Sequence, residues 1–434
     1  MLRLMFSGVL KIQLVLLFSG MLVVAHGQDT VTVMTYNLLY YGANTSFCTT
    51  GNNNLFTKNG HFRTIVNHVR PDILGVQEMG ASVGTTLGFL NDVLNSGGET
   101  RWARANYMNT TTSNIISILY YDVTKFGIAN QHPIVTPLRD IVYYRLFYRQ
   151  IPPGNDTVFL NVAVMHLKAG STAADVAQRG QETAAMMSYL SSIGLKGNLI
   201  VMGDLNTNSS SEAGYANMTT SSNTNIRLLD PVNRPGTWWN NVAFSDLHTQ
   251  SPRTTGDGCK SGGGMDDRYD QILINEFVRA DSARVRYIPG SYRVIGNDGQ
   301  RFQGNLTVPT NQSAPAAVIT ALNESSDHLP VVLRLRINAG AGVSVQERLA
   351  DKLQWHLPGL VNEELVVAGE STEDMLLHYQ LRNVQGQSIQ RGVLEVSRGR
   401  FQQSLALGDL PAGVYLLVIN TATGLQETKR FIRR

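Results

Sequence analysis

Residues 198–206, reading NLIVMGDLN, constrain the fold more than any other stretch. Leu199 to Met202 is an unbroken apolar run, with Gly194 and Gly197 before it and Gly203 after it. A strand buried on both faces reads this way. At its end stand Asp204 and Asn206, two positions apart, so on extended backbone both side chains point to the same side. A rigid strand ending in a carboxylate and an amide is a common support for chemistry. The same G-D-x-N pattern also occurs in ordinary turns, so its meaning depends on what else converges on it.

A chain of 434 residues, 43% hydrophobic, has room for a large core and a second domain. Its formal charge of +3 neither demands nor excludes a basic groove for nucleic acid. Arg3 and Lys11 precede or open an apolar run over residues 12–25, and Ala25-His26-Gly27 supplies small residues at a cleavage position. Residues 1–27 therefore read as a signal peptide and the mature chain as starting at Gln28. The rival, a membrane anchor, needs about twenty apolar residues where roughly fourteen are present. No stable membrane span is expected elsewhere. Export to an oxidising compartment makes a disulfide the expected state of Cys48 and Cys259, two isolated thiols being the alternative.

Taken in order, residues 31–37 alternate as a strand ending at Asn37. Residues 61–69 have helical spacing and stop before Pro71, and residues 73–76 are a buried strand with Gln77-Glu78 at its end. Residues 114–121 and 158–165 read as further strands, the second running into His166-Leu167-Lys168. Residues 172–190 form the clearest helix, closed by Gly194. Residues 208–225, rich in Ser, Asn and Thr, read as a surface excursion with little core, and residues 296–313 as a polar hairpin or loop. Asn37, Glu78, His166, Asp204, Asn206, Asp270, Asp327 and His328 all fall at or beside strand ends. Open α/β folds place their sites there. Each has a structural alternative: Glu78 as a cap, His166 as a satisfied core histidine, Asp327-His328 as turn residues.

The set Tyr36-Asn37, Gln77-Glu78, His166-Leu167-Lys168, Gly203-Asp204-Leu205-Asn206, Arg268-Tyr269-Asp270 and Ser326-Asp327-His328 resembles the endonuclease/exonuclease/phosphatase superfamily. The resemblance runs over residues 28–338. It implies an α/β fold, a four-layered sandwich of two packed mixed β-sheets flanked by helices. It also implies a secreted metal-dependent phosphodiesterase acting on DNA, RNA or another phosphodiester. Such chemistry needs charge neutralised on phosphate oxygens, a water activated and a leaving oxygen stabilised. Mg²⁺ is the expected ion, with Mn²⁺ or Ca²⁺ as alternatives. By the resemblance, Glu78 is the main metal ligand, with Asn37 and Asp327 completing the shell directly or through water. Asp204 orients or deprotonates the water, Asn206 contacts a phosphate oxygen, and His166 protonates the leaving group. His328 faces the phosphate with Asp270 or Asp327 fixing its tautomer; Lys168 and Arg268 are phosphate-binding, a solvated lysine being the alternative at Lys168.

Departures narrow the branch. Thr207 follows Asn206 where inositol phosphatases carry an Arg, and Met265-Asp266-Asp267-Arg268 stands where they carry Trp-x-Asp-Arg. No adjacent aromatic pair lies shortly before Asp327, as it would in a secreted sphingomyelinase; Trp238-Trp239 comes earlier and is read as a buried structural pair, base stacking or lipid insertion being the alternatives. A nuclease or general phosphodiesterase is thus favoured over a phospholipid phosphodiesterase, with a non-catalytic surface module as the third reading. Residues 339–356 read as a linker. Residues 357–434 resemble a type-nine secretion sorting domain through Leu410-Pro411-Ala412-Gly413-Val414-Tyr415 and the basic end. That implies a small β-sandwich, a partner in the secretion machinery, and a secreted or cell-surface location. A monomer is expected.

Overall fold

The computed structural model describes residues 28–149, 157–338, 352–421 and 426–434. The expected signal peptide and most of the expected linker lie outside these residues. The chain divides into two compact units, Met1–Gly342 and Val343–Arg434.

Two mixed sheets build the first unit. One contains β1 (Gln28–Tyr41), β2 (Ile73–Gly80), β3 (Trp102–Arg104), β4 (Ile115–Asp122), β11 (Val285–Tyr287), β12 (Arg293–Val294) and β13 (Val331–Asn338). Its order is β11-β13-β1-β2-β4-β3, with β12 also on β13. The other contains β5 (Phe126–Ile134), β6 (Ile141–Tyr148), β7 (Phe159–His166), β8 (Leu199–Asp204), β9 (Leu228–Leu229) and β10 (Asp270–Asn275), ordered β5-β6-β7-β8-β10-β9. Each sheet contains a parallel pair, β1 with β2 and β7 with β8.

The sheets face each other across the main core, where Val31 and Met34 join Val162, Val164, Ile200 and Met202. The approach is close at Gly75 of β2. A Cβ there would meet the end of the Met202 side chain at 2.6 Å. Helices α1 (Leu55–Val69) and α6 (Ala316–Ser325) pack Phe62, Ile65, Val318 and Leu322 into this core beside the first sheet. Helices α3 (Ala173–Ser192) and α4 (Ala213–Thr219) cover the far face of the second, Met186, Leu190, Tyr215 and Met218 packing on Met165, Leu199 and Val201. Two short helices, α2 (Val83–Phe89) and α5 (Glu276–Ala280), complete the unit. The four layers expected from the sequence are present.

Helix α3 starts where the sequence places it, because Thr172 and Asp175 form a reciprocal capping box. Residues 208–225 differ from expectation: α4 lies within them and buries Tyr215 and Met218. Two apolar side chains a helical turn apart were enough to anchor a segment whose composition is otherwise that of a loop. Residues 296–313 contain no strand, so the loop alternative holds there.

The second unit is all β. One sheet contains β14 (Leu353–His356), β16 (Glu364–Ser371) and β19 (Gly399–Ala406). The other contains β15 (Leu360–Val361), β17 (Met375–Asn383), β18 (Ser388–Val396), β20 (Gly413–Thr421) and β21 (Gln426–Arg433). Leu365, Leu377, Leu394, Leu417 and Phe431 are among its core residues. Strand β14 falls within the stretch read as the end of the linker.

Candidate active site

Strand register alone assembles most of the site. In the parallel β7–β8 pair, His166 stands opposite Asp204. In the antiparallel β8–β10 pair, Asp204 stands opposite Asp270. Three polar side chains therefore lie in one row across three adjacent strands. The close approach of β7 and β8 depends on Gly203, whose φ of 146° is open to glycine; a Cβ there would come within 1.9 Å of the Met165 carbonyl oxygen. On the facing sheet, Asn37 at the end of β1 stands opposite Gln77 of β2, which puts Glu78 next in line.

The two rows meet at Asn37. Its amide nitrogen donates to Glu78 Oε1 at 3.0 Å and to Asp204 Oδ2 at 3.1 Å, while its oxygen accepts from Leu39 N–H. His166 Nε2 lies 3.5 Å from Asp204 Oδ2 and 3.9 Å from Glu78 Oε1. On the other flank, Asp270 Oδ2 meets His328 Nδ1 at 2.7 Å, and His328 Nε2 is 3.9 Å from Asp204. Single ligand atoms of Glu78, His166 and Asp204 lie within 4.8 Å of one another, as do those of Asp204, Asp270 and His328. Ser326 brings in the last loop. Its hydroxyl donates to Asn37 O and accepts from His328 N–H.

Burial sets the protonation states. It pushes the Glu78 carboxyl up, with the Asp327 charge adding to the effect. Asp204 is raised for the same reason, with Asp270 and Glu78 raising it further against the opposing pull of His328. Burial holds His166 well below the usual imidazole value and the Arg139 charge works in the same direction, so this ring is neutral. For His328 burial is overcome by Asp270, with help from Asp204 and Asp327, and the ring is held well above that value. The two histidines of one site are thus driven apart in charge.

Strain is concentrated here. Glu78 has φ 56° and Asn206 φ 49°, and Leu39 and Tyr40 follow Asn37 with φ 48° and 46°. A non-glycine residue in the left-handed region costs on the order of 1–3 kcal/mol and persists only where its surroundings fix it. Glu78 is fixed through Oε2, which accepts from Tyr40 N–H at 3.0 Å.

Not every expected site residue joins the cluster. Asn206 is adjacent, but its side-chain nitrogen is engaged by Leu167 O. Asp327 accepts from Ser261 N–H through Oδ2, and its buried Oδ1 has no partner. Lys168 is committed elsewhere, its Nζ lying 2.7 Å from Asp175 and 2.6 Å from Ala169 O. Arg268 is a correction. It is fully buried, its two terminal nitrogens each 2.9 Å from an Asp230 oxygen, so it is a structural ion pair and no phosphate reaches it. Trp238 and Trp239 split: the first is buried on Tyr215 and Arg268, the second is 53% exposed. The expected disulfide between Cys48 and Cys259 is formed.

Three residues of the site were not singled out in the sequence. Arg139 donates to His166 O and Leu167 O at 3.1 and 2.8 Å. The Gln250 amide meets His328 Nε2 at 2.7 Å. Lys58 lies buried behind the end of β1. None stands in a motif; Arg139 and Gln250 sit in loops whose course a local pattern does not give. A separate cavity of about 730 Å³, lined by Thr32, His68, Arg234, Tyr292 and Arg334 among others, includes none of the clustered residues.

Residues 34–328 match the Endonuclease/Exonuclease/phosphatase family, which covers more than half of the chain, and the protein belongs to it. Residues 361–434 match the secretion system C-terminal sorting domain, which indicates export or cell-surface display. Members of the family hydrolyse phosphoester bonds with a divalent metal. No curated protein matches the chain. Similar solved structures include an endonuclease/exonuclease/phosphatase from Beutenbergia cavernae DSM 12333, at 15% identity over 93% of this chain and 99% of that one, TM-score 0.39. Another, from Bacteroides vulgatus, has 13% identity over 71% and 99%, TM-score 0.44. The human Nocturnin catalytic domain with bound sulfate anion has 17% identity over 71% and 97%, TM-score 0.43. Among the described residues no helix is long and apolar enough to cross a membrane.

Proposed function

We propose that the protein is a secreted, divalent-metal-dependent phosphodiesterase that cuts nucleic acid, exported through the signal peptide at residues 1–27 and the C-terminal sorting domain. The observation that carries this reading is the row His166–Asp204–Asp270 facing Glu78 across Asn37, with two histidines held in opposite charge states.

The donor set fits a hard cation. Glu78 and Asp327 supply carboxylate oxygens, and the buried Oδ1 of Asp327 is an acceptor with no hydrogen-bond partner. When bound, Mg²⁺ supplies positive charge against the phosphate oxygens. Asn37 orients the carboxylates of Glu78 and Asp204 through its amide nitrogen. Asp204, its carboxyl raised by burial, takes the proton of the attacking water. The His328 imidazolium, fixed by Asp270, faces the charge that develops on the phosphate. His166 is neutral in the free protein, so it enters as a hydrogen-bond donor to the leaving oxygen, without an imidazolium proton stored beforehand.

The test incubates the full protein with plasmid DNA, RNA and sphingomyelin, with Mg²⁺ or with chelator, beside Glu78→Ala and His328→Ala. Metal-dependent loss of DNA or RNA, abolished in both variants, is the expected result. Turnover of sphingomyelin alone would transfer the assignment to a lipid phosphodiesterase.

A further inference from the structure

Lys58 is a cation close to the N-terminal end of α1, where the helix dipole disfavours positive charge. It is only 4% exposed. Its Nζ donates at 2.7 Å to each of three oxygens: Leu38 O, Leu39 O and Asn53 Oδ1. Only an ammonium satisfies three acceptors at one nitrogen, so the interactions favour the charged form even though burial pushes it down to about 7. Phe62 lies beneath it at 5.6 Å.

Lys58 holds the strained turn at the exit of β1. Leu39 and Tyr40 are successive left-handed residues, neither glycine nor asparagine. Their backbone has two sides. The amides point to the site, Leu39 N–H orienting the Asn37 side chain at 2.9 Å and Tyr40 N–H orienting Glu78 at 3.0 Å. The carbonyls point away from it, and Lys58 collects that of Leu39 together with the preceding one, of Leu38. Asn53, itself bound to Lys58, donates to the Leu39 and Tyr40 carbonyls at 3.3 and 3.0 Å. Removing the ammonium takes its donor from Leu38 O and leaves Leu39 O with Asn53 alone, which loosens the hold on the left-handed turn and on its two site-facing amides.

We propose that Lys58 is a positioning residue that sets the orientation of Glu78, and of the Asn37 side chain that holds it, at the metal site from behind, through the backbone of Leu38–Tyr40. This rests on the metal-dependent reading above, and its test is chosen to separate the two. Mn²⁺ binding by the full protein, followed by the loss of the free-ion electron paramagnetic resonance signal, needs no turnover. Partners that orient metal ligands are typically worth about 10–100-fold in metal affinity or activity. Lys58→Met is expected to raise the half-saturating Mn²⁺ concentration by that factor, and to lower kcat on a nucleic-acid substrate with little change in KM. Asn53→Ala, which leaves the ammonium but removes one of its acceptors and the Asn53 donors to Leu39 O and Tyr40 O, is the milder companion, expected to raise the Mn²⁺ concentration several-fold, and it tests the same backbone hold should Lys58→Met not fold. Ile65→Val weakens the same helix at a fully buried position, about 10 Å further along the axis from Lys58, so its melting temperature falls while Mn²⁺ binding stays as in the wild type. Lys58→Met and Asn53→Ala with unchanged Mn²⁺ affinity overturn the proposal, as does a wild type that binds no Mn²⁺. Mn²⁺ binding that weakens in Lys58→Met, in a protein that cleaves no phosphodiester, leaves this inference standing and removes the assigned reaction.

Discussion

Asp204 Oδ2 lies 3.5 Å from His166 Nε2, and the two residues are direct partners in the parallel β7–β8 pair. A carboxylate raised by burial stands against an imidazole kept neutral by burial. Neither neutralises the other, and the pair is left with a proton acceptor and a neutral donor side by side.

Asp204→Asn keeps the shape and removes the charge. Loss of one general-base role lowers kcat by about 10²–10⁴-fold. Stability moves the other way. Because the folded carboxyl is raised, the native state binds more protons than the unfolded chain above the ordinary carboxylate range, and stability falls as pH rises through that window. The amide variant has no such dependence, so its melting temperature at neutral pH equals or exceeds that of the wild type. A thermal melt beside an activity assay checks both signs; a variant that loses stability and activity together contradicts the assignment.

His166 predicts an acid limb. Its folded value lies well below the unfolded value of about 6.5, so the unfolded chain binds the extra proton first. Stability is therefore lost as pH falls below about 6.5, with a slope of at most about 1.4 kcal/mol per pH unit for this one group. His166→Asn is expected to flatten the fall in melting temperature between pH 7 and 5. An unchanged slope means that other groups set it.

The parallel strands of this site were legible because their apolar runs end abruptly in polar groups: Val76 before Gln77-Glu78, Met165 before His166, Met202 before Asp204. The register between them was not, since nothing local in residues 199–206 says that Asp204 pairs with both His166 and Asp270. Arg268 shows the opposite failure. It belongs to a motif-like run, yet its chemistry is decided by Asp230, 38 positions earlier, at the far end of a loop. Lys58 was invisible for a related reason: its three acceptors are two backbone carbonyls and Asn53, and carbonyls carry no residue identity.

The Cys48–Cys259 disulfide predicts coupled loss of stability and activity. It closes a separation of 211 residues, and the chain-entropy account assigns such a loop about 5 kcal/mol. Cys48 and Cys259 pack on Leu39, with Tyr40 beside them, and Ser261, two residues beyond Cys259, donates to Asp327. The double variant Cys48→Ser/Cys259→Ser is expected to unfold at lower denaturant. Where it is still folded, it should need more Mg²⁺ for half-maximal activity. Equal Mg²⁺ requirements would confine the bridge to a structural role.

The tryptophan pair separates packing from surface contact. Trp238 is completely buried, stacked edge-on to Tyr215 and lying against the Arg268 guanidinium 5.0 Å away, with its indole N–H on Arg234 O. Trp238→Ala removes that core and should cost about 3–5 kcal/mol. Trp239 exposes half its surface, so Trp239→Ala should change stability by less than about 0.5 kcal/mol. If the exposed ring stacks on bases of a nucleic-acid substrate, Trp239→Ala raises KM for single-stranded DNA and leaves hydrolysis of bis(p-nitrophenyl) phosphate, which has no polymer to hold, unchanged. A weakened affinity for sphingomyelin liposomes with DNA cleavage intact would instead place that ring against lipid, and a melting temperature that falls as far for Trp239→Ala as for Trp238→Ala would contradict the split between them.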